Sequence, residues 1–206
     1  MPIASIDEAL DDLRQGRMII LVNEEAADGD GFFCVPAEKV TAEIINQMLH
    51  HGRGVIYLAL TEERIRQLGI LLIPHESSNF SGHLFGAAFS ARLEGVPAVS
   101  ARGRAHTIQV AVADQSKHAD LIVPGHIQPI QARSGGVLAR SGRAEASIDL
   151  ARLCGFTPAG VICHILNDDG GVALLPDLEQ LAERLGIKIV AVTRLIAYRL
   201  RNESLV

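Results

Sequence analysis

Apolar residues recur every third or fourth position along some stretches of this 206-residue chain and crowd into short runs along others. That change of period divides it into helices and strands. Ile6, Ala9, Leu10 and Leu13 fall on one helical face, with Ser5 placed to cap it and Gly16 to stop it. Residues 17–22 follow as a short strand. Beyond a polar stretch, residues 41–50 read as a second helix closed by Gly52, and residues 55–60 as a buried strand. Thr61, Glu62 and Glu63 put a cap and two acidic residues at the head of a third helix ending near Gly69. Residues 74–82, rich in Ser, Asn, His and Gly, read as a loop or a mobile flap. A strand over 84–91 and a helix over 104–113 come next. The last third alternates: strand 126–132, helix 144–153, strand 161–166, helix 177–185, strand 187–192 and a closing helix from Arg194. Such alternation predicts an α+β fold, a mixed β-sheet layered with helices. No repeat or low-complexity linker interrupts it, so residues 1–206 read as a single domain.

Composition narrows the function classes. At 48% apolar residues the chain can bury a substantial core. Its net charge of -5 opposes a broad nucleic-acid surface. The apolar runs at 18–22 and 160–165 are too short to cross a bilayer, and no basic segment leads into an apolar one at the N-terminus. These features predict a cytoplasmic protein with neither nucleic-acid nor membrane partners. Cys34, Cys154 and Cys163 are odd in number, form no CxxC and sit among apolar residues, as reduced core thiols do.

Candidate chemistry concentrates in a few places. His126 follows Pro124 and Gly125, so an imidazole begins a strand where the backbone can approach a ligand closely. Glu145 reads either as an acid/base residue or as an acid favouring the first turn of its helix. Asp28-Gly29-Asp30-Gly31 reads either as a carboxylate-bearing loop or as a polar turn. An EF-hand is excluded, because the twelfth position from Asp28 is Lys39 rather than Glu. Asn167-Asp168-Asp169-Gly170 reads as a tight turn.

In order and spacing, Pro124-Gly125-His126, Gly135-Gly136-Val137-Leu138, Glu145-Ala146-Ser147-Ile148-Asp149-Leu150 and Asn167-Asp168-Asp169-Gly170 resemble the C-terminal half of the 3,4-dihydroxy-2-butanone 4-phosphate synthases of riboflavin biosynthesis. The likeness extends from Ala9 to Arg199. It implies that family's fold, a homodimer with active sites near the subunit interface, and a magnesium-dependent lyase reaction on ribulose 5-phosphate that releases formate. By the same likeness Asp28 and His126 are metal ligands, and Glu145, Asp28 and His126 are catalytic. Arg104, Thr107, Gly125 and Asp30 are substrate-binding.

The chain also departs from the family pattern. Val123 stands for the arginine of Arg-Pro-Gly-His, and valine cannot fork onto phosphate. Against the acidic loop Arg-Glu-Asn-Glu-Gly-Asp, an alignment without gaps sets Ala27 for the Arg, Asp28 and Asp30 for the two Glu, and Phe32 for the Asp; a one- or two-residue gap sets Asp30 for that Asp. Arg143-Ala144-Glu145-Ala146 replaces His-Thr-Glu-Ala, Gly103 precedes Arg104 where the family has Asp, Tyr57 lies on a strand that bears a Cys in the family, and His164 replaces a Glu. These changes predict a diverged paralogue with a degraded site that binds or converts a small sugar phosphate, using magnesium weakly if at all. The alternatives are an active synthase and a noncatalytic subunit of a pathway enzyme.

Overall fold

A computed structural model describes residues 3–23, 29–74 and 84–203. The chain opens on α1 (Ile6–Arg14), held by a capping box in which Ser5 Oγ accepts from Glu8 N–H and Glu8 Oε2 accepts from Ser5 N–H. Such a cap contributes about 1 kcal/mol. Then follow β1 (Ile19–Val22), β2 (Gly31–Pro36), α2 (Ala42–Gln47), β3 (Arg53–Leu60) and α3 (Glu62–Gln67). Next come β4 (Leu84–Phe85), β5 (Phe89–Ala91), α4 (Ala101–Val112) and β6 (Leu121–Gln131). The chain continues through α5 (Arg143–Leu153), β7 (Ala159–Ile165), α6 (Leu175–Leu185), β8 (Ile189–Ala191) and α7 (Val192–Asn202).

The strands form one mixed sheet in the order β4-β6-β3-β7-β2-β1-β8, with β5 added to β6. Parallel pairs are β1 with β8 and β3 with β6; β2 and β3 flank β7 antiparallel. Alternating side chains go to opposite faces. Phe33, Ile56, Leu58, Cys163 and Ile165 pack with residues of α2, α4 and α6 on one face. On the other, Phe32, Cys34 and Ile162 pack with Ala146 and Leu150 of α5 and with residues of α1 and α7.

Several elements differ from the sequence reading. Strand β2 is buried along its whole length, so it lacks the alternation that marks a half-exposed strand, and it follows a turn-rich stretch that hid it. The strand expected over 84–91 is two short ones. Strand β6 begins five residues before His126 and runs through Pro124, a residue whose missing N–H argues against a strand unless the strand lies near an edge. Helix α4 begins at Ala101, where Ser100 Oγ accepts from Gly103 N–H at 3.1 Å. Met48–Gly52 form a π-helical turn rather than more of α2, and the closing helix starts at Val192 directly after β8. Asp28 and most of the expected flap lie outside the described residues.

Candidate active site

The N-terminal end of α5 gathers one group of side chains. Glu145 is fully buried; its Oε1 accepts from Arg133 N–H at 2.7 Å and from Arg140 Nη2 at 2.6 Å. Both readings of this residue therefore have physical content, since it stitches residues 133–140 to the helix while its Oε2 has no hydrogen-bond partner among the described residues. Arg143, two residues earlier, pairs with Asp30 and lies over the Phe32 ring, 4.6 Å from its centroid. Asp30 Oδ2 is 3.5 Å from His164 Nε2. The His164 ring lies 3.8 Å from that of Phe32, because the two residues are direct partners across β2 and β7. Burial, and after it the Arg143 charge, lowers the His164 pKa to about 4, so the imidazole is neutral near pH 7. Phe32 itself is a core residue, only 4% exposed. Among the described residues of the loop, Asp30 is the carboxylate at this end of the sheet.

A second group lies around β5 and β6. The exposed His126 donates its backbone N–H to Ser90 Oγ at 3.0 Å, and its Nδ1 is 3.3 Å from the same oxygen. When Nδ1 carries the proton, the Nε2 lone pair is left for a ligand. Gly125 has no room for a side chain: a Cβ there would overlap the Phe89 and Ser90 backbone. Its small size serves strand packing, whatever else it does. Thr107 is fully buried, with Oγ1 accepting from Ala91 N–H at 3.0 Å and donating to Gly103 O at 2.8 Å. Arg104 Nε donates to Val99 O at 2.9 Å. Arg104 and Thr107 are on α4, whose buried residues pack on the face away from α5.

Tyr57 of β3 stands between the two groups, its ring 6.1 Å from that of His164 and 5.7 Å from that of Phe85. Among the described residues no hydrogen bond or ion pair joins His126 to Asp30 or Glu145. Nor do three or more His, Cys, Asp or Glu residues gather there, although magnesium, which keeps several waters, needs only one or two protein ligands. His126 fits a metal-ligand role singly, and Asp28 lies outside the described residues.

Sequence reasoning missed two features here. Asp149 is 3% exposed and accepts from Val137 N–H and from Arg199 Nη1, each at 2.8 Å. Gly136, at φ 64, is where a Cβ would run into that carboxylate. A charged residue inside the apolar face of the helix over 144–153 was the available signal. The other is Arg140, whose position four residues before Ala144 offers no periodicity to flag it. The cysteines are free, and burial pushes the Cys163 thiol up to about 12 and the Cys154 thiol up to about 11.

A mixed sheet with its carboxylates collected at the head of one helix defines a class of scaffold, and comparison with known proteins places it. The family model of 3,4-dihydroxy-2-butanone 4-phosphate synthase matches residues 7–198, and this chain belongs to that family. It is 44% identical over 204 residues to the riboflavin biosynthesis protein RibBA of Aquifex aeolicus, covering 98% of this chain and 50% of that protein. With the 3,4-dihydroxy-2-butanone 4-phosphate synthase of Pseudomonas aeruginosa it shares 42% identity over 206 residues, all of this chain and 56% of the other. The chain spans about half the length of these curated relatives. Among solved structures, RibBX, a two-domain synthase from A. baumannii, superposes with a TM-score of 0.91 at 42% identity, covering 98% of this chain and 59% of that one. A synthase crystallised with two magnesium ions gives a TM-score of 0.91 at 25% identity, covering 98% of this chain and all of that one. No helix among the described residues is long and apolar enough to cross a membrane.

Proposed function

We propose that this chain carries out the synthase reaction, taking ribulose 5-phosphate to 3,4-dihydroxy-2-butanone 4-phosphate and formate as a lyase of the cytoplasm. The observation that supports it best is the collection of Asp30 and Glu145 at the head of α5, each held by its own arginine. The reaction needs protons taken from and returned to carbon and oxygen, and a positioned carboxylate contributes about 10²–10⁴ in rate to such a step. Asp30 reaches the reacting carbons from the loop side; Glu145, with one oxygen unbonded among the described residues, holds or moves a proton from the helix side. Magnesium bound through His126 and Asp28 would polarise the substrate carbonyl. Arg104 would contribute to the sugar-phosphate site from α4, while Thr107, fully buried with its hydroxyl bonded to Ala91 N–H and Gly103 O, holds that helix against β5.

His126 and Glu145 sit in separate groups within one chain, and a homodimer brings such half-sites together across its interface. The dimer implied by the family resemblance is therefore part of the proposal.

A second reading rests on one observation. Asp30 is already paired with Arg143, and Phe32 and His164 fill the floor beside it. A site rebuilt in this way suits a paralogue that binds or converts another small sugar phosphate. One assay separates the two readings: purified protein, ribulose 5-phosphate and magnesium, with formate as the readout. Formate release that Glu145→Gln abolishes supports the synthase. No formate at high protein concentration rejects it in favour of the rebuilt site.

A further inference from the structure

On the face of the sheet away from α5, a cleft of about 490 Å³ opens between the start of β3, the turn after β7 and helix α6. His50, His51, Arg53 and Arg184 line it, so four side chains able to carry positive charge face one cavity. The acidic residues there are Asp168 and Asp177. Asp177 is committed elsewhere, its Oδ2 accepting from Asn167 Nδ2 and Leu174 N–H at 3.0 Å each. Asp168 pairs with Arg53, but its side chain is 94% exposed, and an ion pair bathed in water is easily exchanged. The positive field registers on His51, whose pKa is lowered first by burial and then by His50, Arg184 and Arg53.

The backbone at this cleft is irregular as well. Met48–Gly52 form the π-helical turn, and Arg53 follows it at φ 61, the left-handed region. It is the one non-glycine residue at positive φ among the described residues. A side chain there carries a steric cost that glycine would remove, so an arginine held in that conformation points to a use for its guanidinium.

We propose that this cleft binds the phosphate group of a small phosphorylated metabolite, gripped by Arg53 and Arg184 with the two histidines beside them. Guanidinium forks match phosphate oxygens two at a time. The volume exceeds that of phosphate alone and leaves room for the organic part of the ligand. This site is independent of the synthase reading, since Asp30 and Glu145 lie on the other face of the sheet.

The test is calorimetric titration of the full chain at constant ionic strength with inorganic phosphate, ribose 5-phosphate and unphosphorylated ribose. The expected result is a saturable phosphate isotherm whose affinity falls about tenfold or more in Arg53→Gly and again in Arg184→Gln. Ribose 5-phosphate shows the same dependence on both arginines, and ribose gives no heat. Arg53→Gly suits the φ at that position, so its melting temperature in the absence of phosphate holds or rises. Arg184→Gln, on an exposed helix face, provides a second variant that folds normally. Isotherms unchanged in both variants overturn the proposal. So do the absence of saturable phosphate binding or ribose binding as tight as ribose 5-phosphate. Formate release plays no part in the readout, so failure here leaves the synthase reading untouched.

Discussion

Buried charge at two neighbouring turns of α5 shows what one residue can carry in this protein. Asp149 ties Val137 N–H and Arg199 together, with both of the charged partners less than a tenth exposed. Neutralising Asp149 leaves Arg199 its bonds to Glu203 and Gly135 O, so the loss is that of charge-assisted bonds at one buried acceptor, about 1.5–3 kcal/mol. Asp149→Asn is expected to lower the urea midpoint by the equivalent of about 2 kcal/mol with an unchanged denaturant slope. An unaltered midpoint would show that the ion pair is dispensable. Glu145 was legible in the sequence as a candidate because its motif surrounds it. Its grip on Arg133 and Arg140 was not, since both contacts depend on how residues 133–140 fold back over the helix. Asp149 sat inside the same motif and went unread, because spacing alone does not distinguish a buried carboxylate with partners from an exposed one.

The elements were legible where one face is wet and the other dry. Helices α1, α3 and α6 met that condition; the Ser5 and Thr61 caps and the glycine stops of the first two are where composition put them, whereas α6 starts at Leu175, before the expected Asp177. Strands β1, β7 and β8 are buried on both sides and were still legible as short apolar runs; β2 was missed because it follows directly on a turn-rich stretch, and β6 was begun late because Pro124 interrupts it. Helix α7 adds a clamp that no local pattern announces: Arg199 donates to Glu203 Oε2 through Nε at 3.0 Å and Nη2 at 2.6 Å, and Arg152 of α5 donates to Oε1 at 2.7 Å. The hydrogen bond from Arg199 comes first among the causes that pull the Glu203 pKa from 4.5 to about 2, against the opposing effect of burial. A carboxylate depressed on folding stabilises the protein fully above its unfolded pKa and loses that contribution as pH falls through the folded one. The melting-temperature gap between the unsubstituted protein and Glu203→Gln should therefore be widest near about pH 6 and close by about pH 2. A gap that stays constant over that range would mean the clamp works through packing rather than charge.

Across the whole molecule, the mixed sheet was readable from the alternation of periods, whereas the placing of His126 and Glu145 in different side-chain groups was not. His126 and Glu145 are close in sequence, and only the strand order reveals that β3 and Tyr57 come between their surroundings. If two copies complete each site, mixing Glu145→Gln with His126→Ala should rescue formate production. Random pairing leaves half the dimers mixed with one intact site of two, so about a quarter of full activity returns. No rescue on mixing would place both residues in a site built by one chain. The strand pairing carries a further implication. Val22 and Gly31 are partners across β1 and β2, so the sheet fastens both ends of the acidic loop that lies between them. Closing a loop costs little more or less when its interior residues are exchanged or a few are added. Changes of length in that stretch are therefore expected to leave the architecture intact, whereas exchanging Asp30 would break its largely buried pair with Arg143.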